Sequence, residues 1–400
     1  MLSRKNILIG ITGGIAAYKS AHLVREFIKA GANVKCIQTP ASKNFITPLT
    51  LSTLSKNEVF SEFTSDEENP RWNDHVTLGL WADVFIIAPA TANTLSKMSQ
   101  GTCDNLLMAT YLSAKCPVYF APAMDLDMYK HPSTGQNLDK LSAFGNIVIL
   151  PESGELASGL IGQGRMAEPE NIFKFVCDDL NDKLPLKSHK LLITAGPTYE
   201  AIDPVRYLGN RSSGKMGVAL ALEFANKGAK VNLVLGPSNV SVSHNNISVT
   251  HVESAEDMYT AAIHLFNDCT IAIAAAAVAD YTPKVVSDRK IKKEEGTPVI
   301  ELTRTKDILA EMGATKKNQF LVGFALETHN ELENAASKLK KKKLNMIVLN
   351  SLQDKGAGFQ GDTNKITILT KDNKKLSFEL KSKQKVAQDI VDTILTEIDA

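Results

Sequence analysis

Cysteine is scarce in this 400-residue chain and poorly placed for cross-linking: Cys36, Cys103, Cys116, Cys177 and Cys269 show neither C-x-x-C spacing nor paired histidines. That scatter argues against a disulfide framework and against structural zinc. One-sided charge is missing too. With 45 Lys+Arg against 44 Asp+Glu and a formal net charge of +1, there is no electrostatic case for nucleic acid or an anionic membrane as partner. Nor is there a long hydrophobic run. The longest, Ile271 to Ala279, is mostly alanine and far short of a membrane span. Near the start, Arg4-Lys5 followed by Ile7 to Ala17 imitates a secretion signal, but Gly10, Gly13 and Gly14 interrupt it. A strand-turn-helix fits better, and a cytoplasmic protein is expected.

What is present is alternation of strand and helix over a length that exceeds one core, so two domains are expected. Ile7–Ile11 reads as a strand, Thr12-Gly13-Gly14 as its turn, Ile15–Lys29 as a helix and Val34–Gln38 as the next strand. Small and hydroxylated residues recur where strands end. Thr39-Pro40-Ala41-Ser42 follows the second strand, Ala88-Pro89-Ala90-Thr91-Ala92-Asn93-Thr94 follows Val84–Ile87, and Ala121 to Asp125 follows Val118–Phe120. In an open parallel sheet such loops converge on one crevice, where a helix N-terminus can take a phosphate. The strict G-x-G-x-x-G spacing is missing, which favours a mononucleotide over a dinucleotide.

A Pro- and Lys-containing joint, Pro185 to His189, precedes a second α/β series, giving domains 1–188 and 189–400. Its first strand, Leu191–Ala195, runs into a long glycine-rich loop, Gly196 to Gly217. Gly209 to Lys215 imitates a P-loop, but Met216 stands where a metal-binding hydroxyl is needed. What survives is an anion site: Ser212, Ser213, Gly214 and Lys215 at a helix N-terminus. A plain Ser-Ser helix cap is the alternative. Further on, Ala274 to Ala277 has little side-chain bulk, which lets a base or ribose approach the backbone, and Asp280 follows. Arg289 to Lys293 is cationic, and Lys338 and Lys342 stand one turn apart on a basic helix, Asn330–Leu344. Lys365–Leu369 and Leu376–Leu380 alternate like a hairpin around Asp372-Asn373, ahead of a last helix, Val386–Ile398.

The motifs GITGGIAAYK, TPASKNFITPLT, APATANTLSKMSQGTCDNLL, PAMDLDMY and GQGRMAEPE together resemble the flavin-dependent phosphopantothenoylcysteine decarboxylases over roughly the first 185 residues. The resemblance implies a flavodoxin-like domain with FMN, in an oligomer whose flavin site lies between subunits. It implies that His75 is the active-site histidine. It implies that Gly13, Gly14, Thr39, Ser42 and the loop Pro89, Ala90, Thr91, Ala92, Asn93 contact the flavin. Two positions depart from the family pattern. Asp125 stands for an asparagine that receives the substrate carboxylate, and Ser158 for a cysteine that donates a proton, although a hydroxyl is a far weaker acid than a thiol of pKa about 8.5.

Over the remaining length, DPVRYLGNRSSGKMG, AAAAVADY, KIKK, GFALET and KLKKKKLN resemble the CTP-using phosphopantothenate-cysteine ligases, which are fused behind the decarboxylase in this order. By that resemblance Asn210 handles an acyl-cytidylate. Ala274, Ala275, Ala276, Asp280, Lys290, Lys306, Asp307, Ile308, Leu309, Phe324, Lys338 and Lys342 form the CTP site, with Lys290 also catalytic. Mg²⁺ is implied, with no residue assigned to hold it. The expectation is a bifunctional coenzyme A biosynthesis enzyme of two doubly wound α/β domains, acting on 4′-phosphopantothenate, L-cysteine and CTP as a homo-oligomer. The alternative is an active ligase behind a flavoprotein half impaired or made regulatory by Asp125 and Ser158. A two-domain nicotinamide oxidoreductase is a third reading, opposed by the missing dinucleotide fingerprint.

Overall fold

The computed structural model describes residues 2, 5–64, 72–156, 158–292, 299–327, 329–351 and 361–398. Arg4, Lys293 and Thr328, which belong to stretches singled out above, lie outside the described residues. The chain divides into two compact units, Met1–Asp182 and Lys183–Ala400.

In the first unit, strands β1 (Asn6–Ile11), β2 (Asn33–Gln38), β3 (Val59–Phe60), β4 (Val84–Ala90), β5 (Val118–Pro122) and β6 (Ile147–Val148) form one parallel sheet in the order β3-β2-β1-β4-β5-β6. The strands read as continuous apolar runs because helices cover both faces. Ile7, Ile9 and Ile11 pack into one core with Phe27, Ile86 and Ile172, while Leu8 and Ile37 pack into another with Phe85, Ile87 and Leu107. The segment expected as one helix from Ile15 begins as a 3₁₀ turn, Ile15–Lys19, before the α-helix Ser20–Lys29. Beyond the sheet, β7 (Glu152–Glu155) and β8 (Ile161–Arg165) pair as an antiparallel flap carrying Ser158 at its tip.

The second unit repeats the winding. Strands β9 (Lys190–Ala195), β12 (Lys230–Leu235), β13 (Ile247–His251), β14 (Ile271–Ala274), β17 (Phe320–Glu327) and β18 (Met346–Ser351) are parallel in the order β13-β12-β9-β14-β17-β18. The antiparallel pair β20 (Ile366–Thr370) and β21 (Lys375–Ser377) extends that edge. The hairpin turns with Asn373 at φ 62°, the left-handed conformation that asparagine tolerates. The stretch Gly196–Gly217, expected as an open loop, contains a small hairpin of β10 (Tyr199–Ala201) and β11 (Tyr207–Gly209), whose tyrosine rings stack with centroids 3.8 Å apart. Two shorter pairs complete the unit: β15 (Tyr281–Pro283) with β16 (Leu302–Arg304), and β19 (Thr363–Asn364) with β22 (Lys381–Ser382). The basic helix is shorter than expected, Glu331–Lys341, and Lys342 is its C-cap.

Candidate active sites

The first sheet reverses direction of winding between β1 and β4, which opens a crevice at their carboxyl ends. Thr12 stitches the two loops there: its Oγ1 donates to the Pro89 carbonyl at 2.7 Å and accepts from the Thr91 amide at 3.2 Å. A Cβ at Gly13 would stand 2.7 Å from that of Ala41, so glycine is what lets the β1 and β2 loops meet. Gly13, Thr39, Thr91, Ala92 and Asn93 then line a cavity of about 530 Å³. Gly14, Asp125 and Ser158 line another of about 560 Å³, and Ala123 and Met124 border both.

The donors of this crevice suit a phosphorylated ring. Thr39 Oγ1 is buried with no protein partner. The helix Ala92–Gln100 starts at the cavity wall, capped by Thr91, which accepts from the Thr94 amide, and the amides of its first turn face outward without helical partners. Three expected flavin contacts shape the site rather than line it. The Ser42 hydroxyl donates to the Thr39 carbonyl at 2.8 Å, the Pro89 carbonyl accepts from Thr12, and the Ala90 carbonyl accepts from the Ala123 amide at 3.0 Å.

Asp125 and Ser158, the two departures from the family pattern, touch. Ser158 Oγ donates to Asp125 Oδ1 at 3.0 Å, and the same oxygen accepts from the Leu126 amide at 2.6 Å. Sequence reasoning missed two cations on their cavity, Lys19 and Arg165. Lys19 is only 5% exposed and donates to the Met166 carbonyl at 3.1 Å and to Glu168 at 2.9 Å. The bond from Lys19 holds the Glu168 carboxyl below the usual carboxylate range, against the opposing effect of burial. Lys19 closes the GITGGIAAYK motif, so its place was readable; Arg165 lies in GQGRMAEPE. His75, in contrast, lines neither cavity. It opens the helix His75–Trp81, sits edge-on to Phe63 at 6.4 Å and keeps Nδ1 buried without a partner.

In the second unit the corresponding reversal lies between β9 and β14. A cavity of about 530 Å³ gathers Ala274, Ala276, Asp280, Lys306, Asp307, Ile308, Leu309, Phe324, Lys338 and Lys342 from positions up to 68 residues apart in sequence. Lys338 donates to the Phe324 carbonyl at 2.8 Å; burial pushes its ammonium pKa down, and the charge of Lys342 adds to that. Burial alone would raise the Asp307 carboxyl, but the bond from Lys342, 2.7 Å away, and the Ala310 amide hold it below its usual range. Lys306 lies 2.6 Å from Glu256 and over the Tyr259 ring.

A neighbouring cavity of about 320 Å³ shares Ala276, Ala277 and Phe324 with the first and also takes in Ala275. Asn210 stands at the shared wall, its Nδ2 donating to the Ala277 and Val278 carbonyls at 3.1 and 3.0 Å. Gly214, at φ 77°, turns the chain into the helix Lys215–Asn226, a conformation that exposes successive amides. Ser212, Ser213 and Lys215 line the same space, with Asn350, Asn364 and Lys383 opposite. These last three were missed because they are single residues on separate elements, Asn350 on β18, Asn364 on β19 and Lys383 at the start of the last helix, with no motif around them. Lys290 lines neither cavity; its segment is tied to the β10–β11 hairpin by Asp203, which accepts from the Ile291 amide at 3.1 Å and pairs with Arg206 at 2.9 Å. Among the described residues no group of three or more His, Cys, Asp or Glu is placed to hold a metal, and no helix is long and apolar enough to cross a membrane.

Comparison with known proteins matches residues 1–181 to the family described as Flavoprotein and residues 186–398 to the DNA/pantothenate metabolism flavoprotein C-terminal domain. The chain is 44% identical to the coenzyme A biosynthesis bifunctional protein CoaBC of Bacillus subtilis, over 98% of this chain and 97% of that protein. A relative from an unknown prokaryotic organism, named cysteine/cysteine sulfinic acid decarboxylase, is 56% identical over 88% of this chain and 99% of its own length. Among solved structures, the C-terminal domain of a CoaBC protein is 41% identical, covering 54% of this chain and 99% of that one with a TM-score of 0.47.

Proposed function

The chain belongs to the bifunctional CoaBC family of coenzyme A biosynthesis proteins, ligase and decarboxylase in one polypeptide, and from that premise we propose how its residues divide the work. Residues 189–400 join 4′-phosphopantothenate to L-cysteine with CTP, and residues 1–188 decarboxylate the product to 4′-phosphopantetheine. The observation that carries this division is the contrast between the two switch-point crevices. One is lined by glycine, threonine and asparagine with the paired Lys97 and Asp104, whose charges cancel, while the other gathers Arg304 and three lysines against Asp280 and Asp307.

In the second unit, Lys306, Lys338 and Lys342 meet the triphosphate, with Mg²⁺ carried mainly on the nucleotide's own oxygens. Ala274 and Ala276 let the nucleoside lie against the backbone. The neighbouring cavity takes the acid, its phosphate at Ser212, Gly214 and Lys215 and its carboxylate toward Asn210, which stands between the two spaces. The carboxylate oxygen attacks the α-phosphorus, pyrophosphate leaves, and the cysteine amine then displaces CMP from the acyl-cytidylate. Lys290 enters this scheme by resemblance alone, since its side chain is exposed.

In the first unit, the orphaned Thr39 hydroxyl, the Gly13 contact and the Thr91-capped helix fit FMN. When bound, the flavin supplies reversible two-electron chemistry to the cysteinyl thiol, so that carbon dioxide can leave with no net redox change. Lys19 and Arg165 share the cavity with Asp125 but both pair with Glu168, so the cations reach the substrate carboxylate only as part of that network, and Ser158, hydrogen-bonded to Asp125, passes a proton in this scheme. His75 acts from a neighbouring copy of the chain, which is why it lines neither cavity of its own unit; the assembly is a homo-oligomer.

The test is one reaction mixture of protein, 4′-phosphopantothenate, cysteine and CTP, followed by pyrophosphate release, carbon dioxide release and product mass. Phosphopantetheine is expected. Accumulated phosphopantothenoylcysteine would leave only the ligase standing. Free cysteine and cysteine sulfinic acid are run in parallel, and faster carbon dioxide release from either would reassign the first unit's substrate.

A further inference from the structure

The strand β18 changes character where it meets the smaller cavity of the second unit. Its Met346 and Val348 pack into the core that holds Phe224 and Ile390 of two covering helices. Asn350 continues the same alternation, so its side chain leaves the sheet on that face, and there it lines the cavity. The neighbouring strands fix its place: Asn350 stands in register with Leu326 on one side and Ile366 on the other. Its Oδ1 is buried, yet among the described residues that oxygen has no hydrogen-bond partner. Asn364 on the same cavity differs, because its Oδ1 accepts from the Lys365 amide at 3.2 Å. A buried amide oxygen without a donor destabilises the protein that carries it. Here the destabilising group sits on the wall of a site.

We propose that Asn350 determines substrate specificity in the second unit: its Oδ1 accepts a hydrogen bond from the middle of 4′-phosphopantothenate, where an amide N–H and a hydroxyl lie between phosphate and carboxylate. The inference rests on the proposed assignment of this cavity to the acid. Neither end of that substrate suits the oxygen. Phosphate and carboxylate are acceptors, and an acceptor facing an acceptor is repelled, so the partner is one of the neutral donors of the chain. Desolvation of Oδ1 already belongs to the free protein, and a donor arriving with the ligand gains its bond without further loss on the protein side. A chain of the same length without that donor leaves the oxygen unmet and gains nothing, which is the basis of selection.

The experiment compares wild type with Asn350→Val and Asn350→Thr, two β-branched replacements that suit a strand and differ by a methyl for a hydroxyl. Steady-state ligation is followed with 4′-phosphopantothenate, CTP and cysteine varied in turn. Asn350→Val should raise KM for the acid about tenfold. KM for CTP and for cysteine should hold within about twofold, and Asn350→Thr should recover part of the loss because its hydroxyl can accept. The ligand-free protein gives a readout that a structural role would reverse: removing an unmet buried acceptor should raise the calorimetric transition that CTP shifts by about 3 °C. No rise in KM for the acid, an equal rise for all three substrates, or a transition that fails to rise overturns the proposal. Should Asn350→Val not fold, wild type alone decides through two analogues, the ester in which oxygen replaces the amide N–H and the deoxy acid that lacks the hydroxyl. At least one should bind about tenfold more weakly than the parent acid and so identify the donor; equal binding of all three overturns the proposal. Calorimetric titration with 4′-phosphopantothenate separates the two levels. No binding by wild type refutes the assignment of the cavity, whereas equal binding by wild type and Asn350→Val refutes only the role of Asn350.

Discussion

The two units wind six parallel strands in the same relative order, third-second-first-fourth-fifth-sixth, yet the crevices at their switch points differ in charge balance: cations and carboxylates are equal in number on the first and cations are in excess on the second. In the first unit the loops after β1, β2 and β4 present Gly13, Thr39 and Thr91. In the second, the segments after β14, β16 and β17 bring Asp280, Lys306, Asp307, Lys338 and Lys342 together. The fold supplies a concave place and helix N-termini in both cases. On the function proposed above, the few side chains at strand ends select the ligand: short hydroxyls suit one phosphate and a flat ring, and several ammonium groups would suit a triphosphate whose pyrophosphate must depart. Shared winding is silent about chemistry; the balance of charge on the crevice is not.

Variants that silence one crevice without touching the other would break or sharpen that contrast. The largest effect is expected at Asn210. Asn210→Ala removes the donor at the shared wall of the second unit's two cavities and should lower CTP-dependent pyrophosphate release by at least about 100-fold, with the flavin absorbance of the purified protein unchanged. Lys290→Gln should do the same, and full ligation by that variant would return Lys290 to the solvated surface. Next comes His75→Asn, for which carbon dioxide release should fall about 100-fold while ligation continues. Equal decarboxylation would make the unpartnered Nδ1 a structural feature, and sedimentation of the active protein as a monomer would remove the neighbouring copy from the scheme.

Smaller effects probe the walls. Thr39→Val removes an unpartnered buried hydroxyl, and the flavin dissociation constant, measured by fluorescence recovery, should rise about tenfold; an unchanged constant would mean that Thr39 faces no ligand. The smallest concerns stability. Ser254 and Asp257 form a capping box on the helix Ala255–Phe266, so Ser254→Ala should cost about 1 kcal/mol and shift only the calorimetric transition that CTP also shifts. If flavin loss shifted with it, the two units would not melt independently.

Much of this was readable along the chain. Apolar runs such as Ile7–Ile11 and Leu191–Ala195 predicted buried parallel strands, and polar residues just past each run marked the carboxyl-end loops. Lys19 and Arg165 on the Asp125 cavity lie inside quoted motifs and were overlooked, whereas Asn350, Asn364 and Lys383 on the smaller cavity of the second unit come from distant positions that no motif joins. The bond between Ser158 and Asp125 was equally hidden, since the two lie 33 residues apart.

By itself, the sequence determined the elements and the family, because strand and helix periodicity and loop motifs are properties of neighbouring residues. Tertiary structure alone decided which charges share a cavity. Lys338, on the helix after β17, turns inward to the Phe324 carbonyl, and Lys342, at its C-cap, reaches Asp307, although a lysine-rich run ordinarily faces solvent. Lys383 is buried while Lys290 is not. Both are lysines in basic stretches, and only the pairing of β19 with β22 and the packing of the last helix distinguish them. The reason is physical: the cost of desolvating a charge depends on what the fold places around it, and that is set by residues far away along the chain.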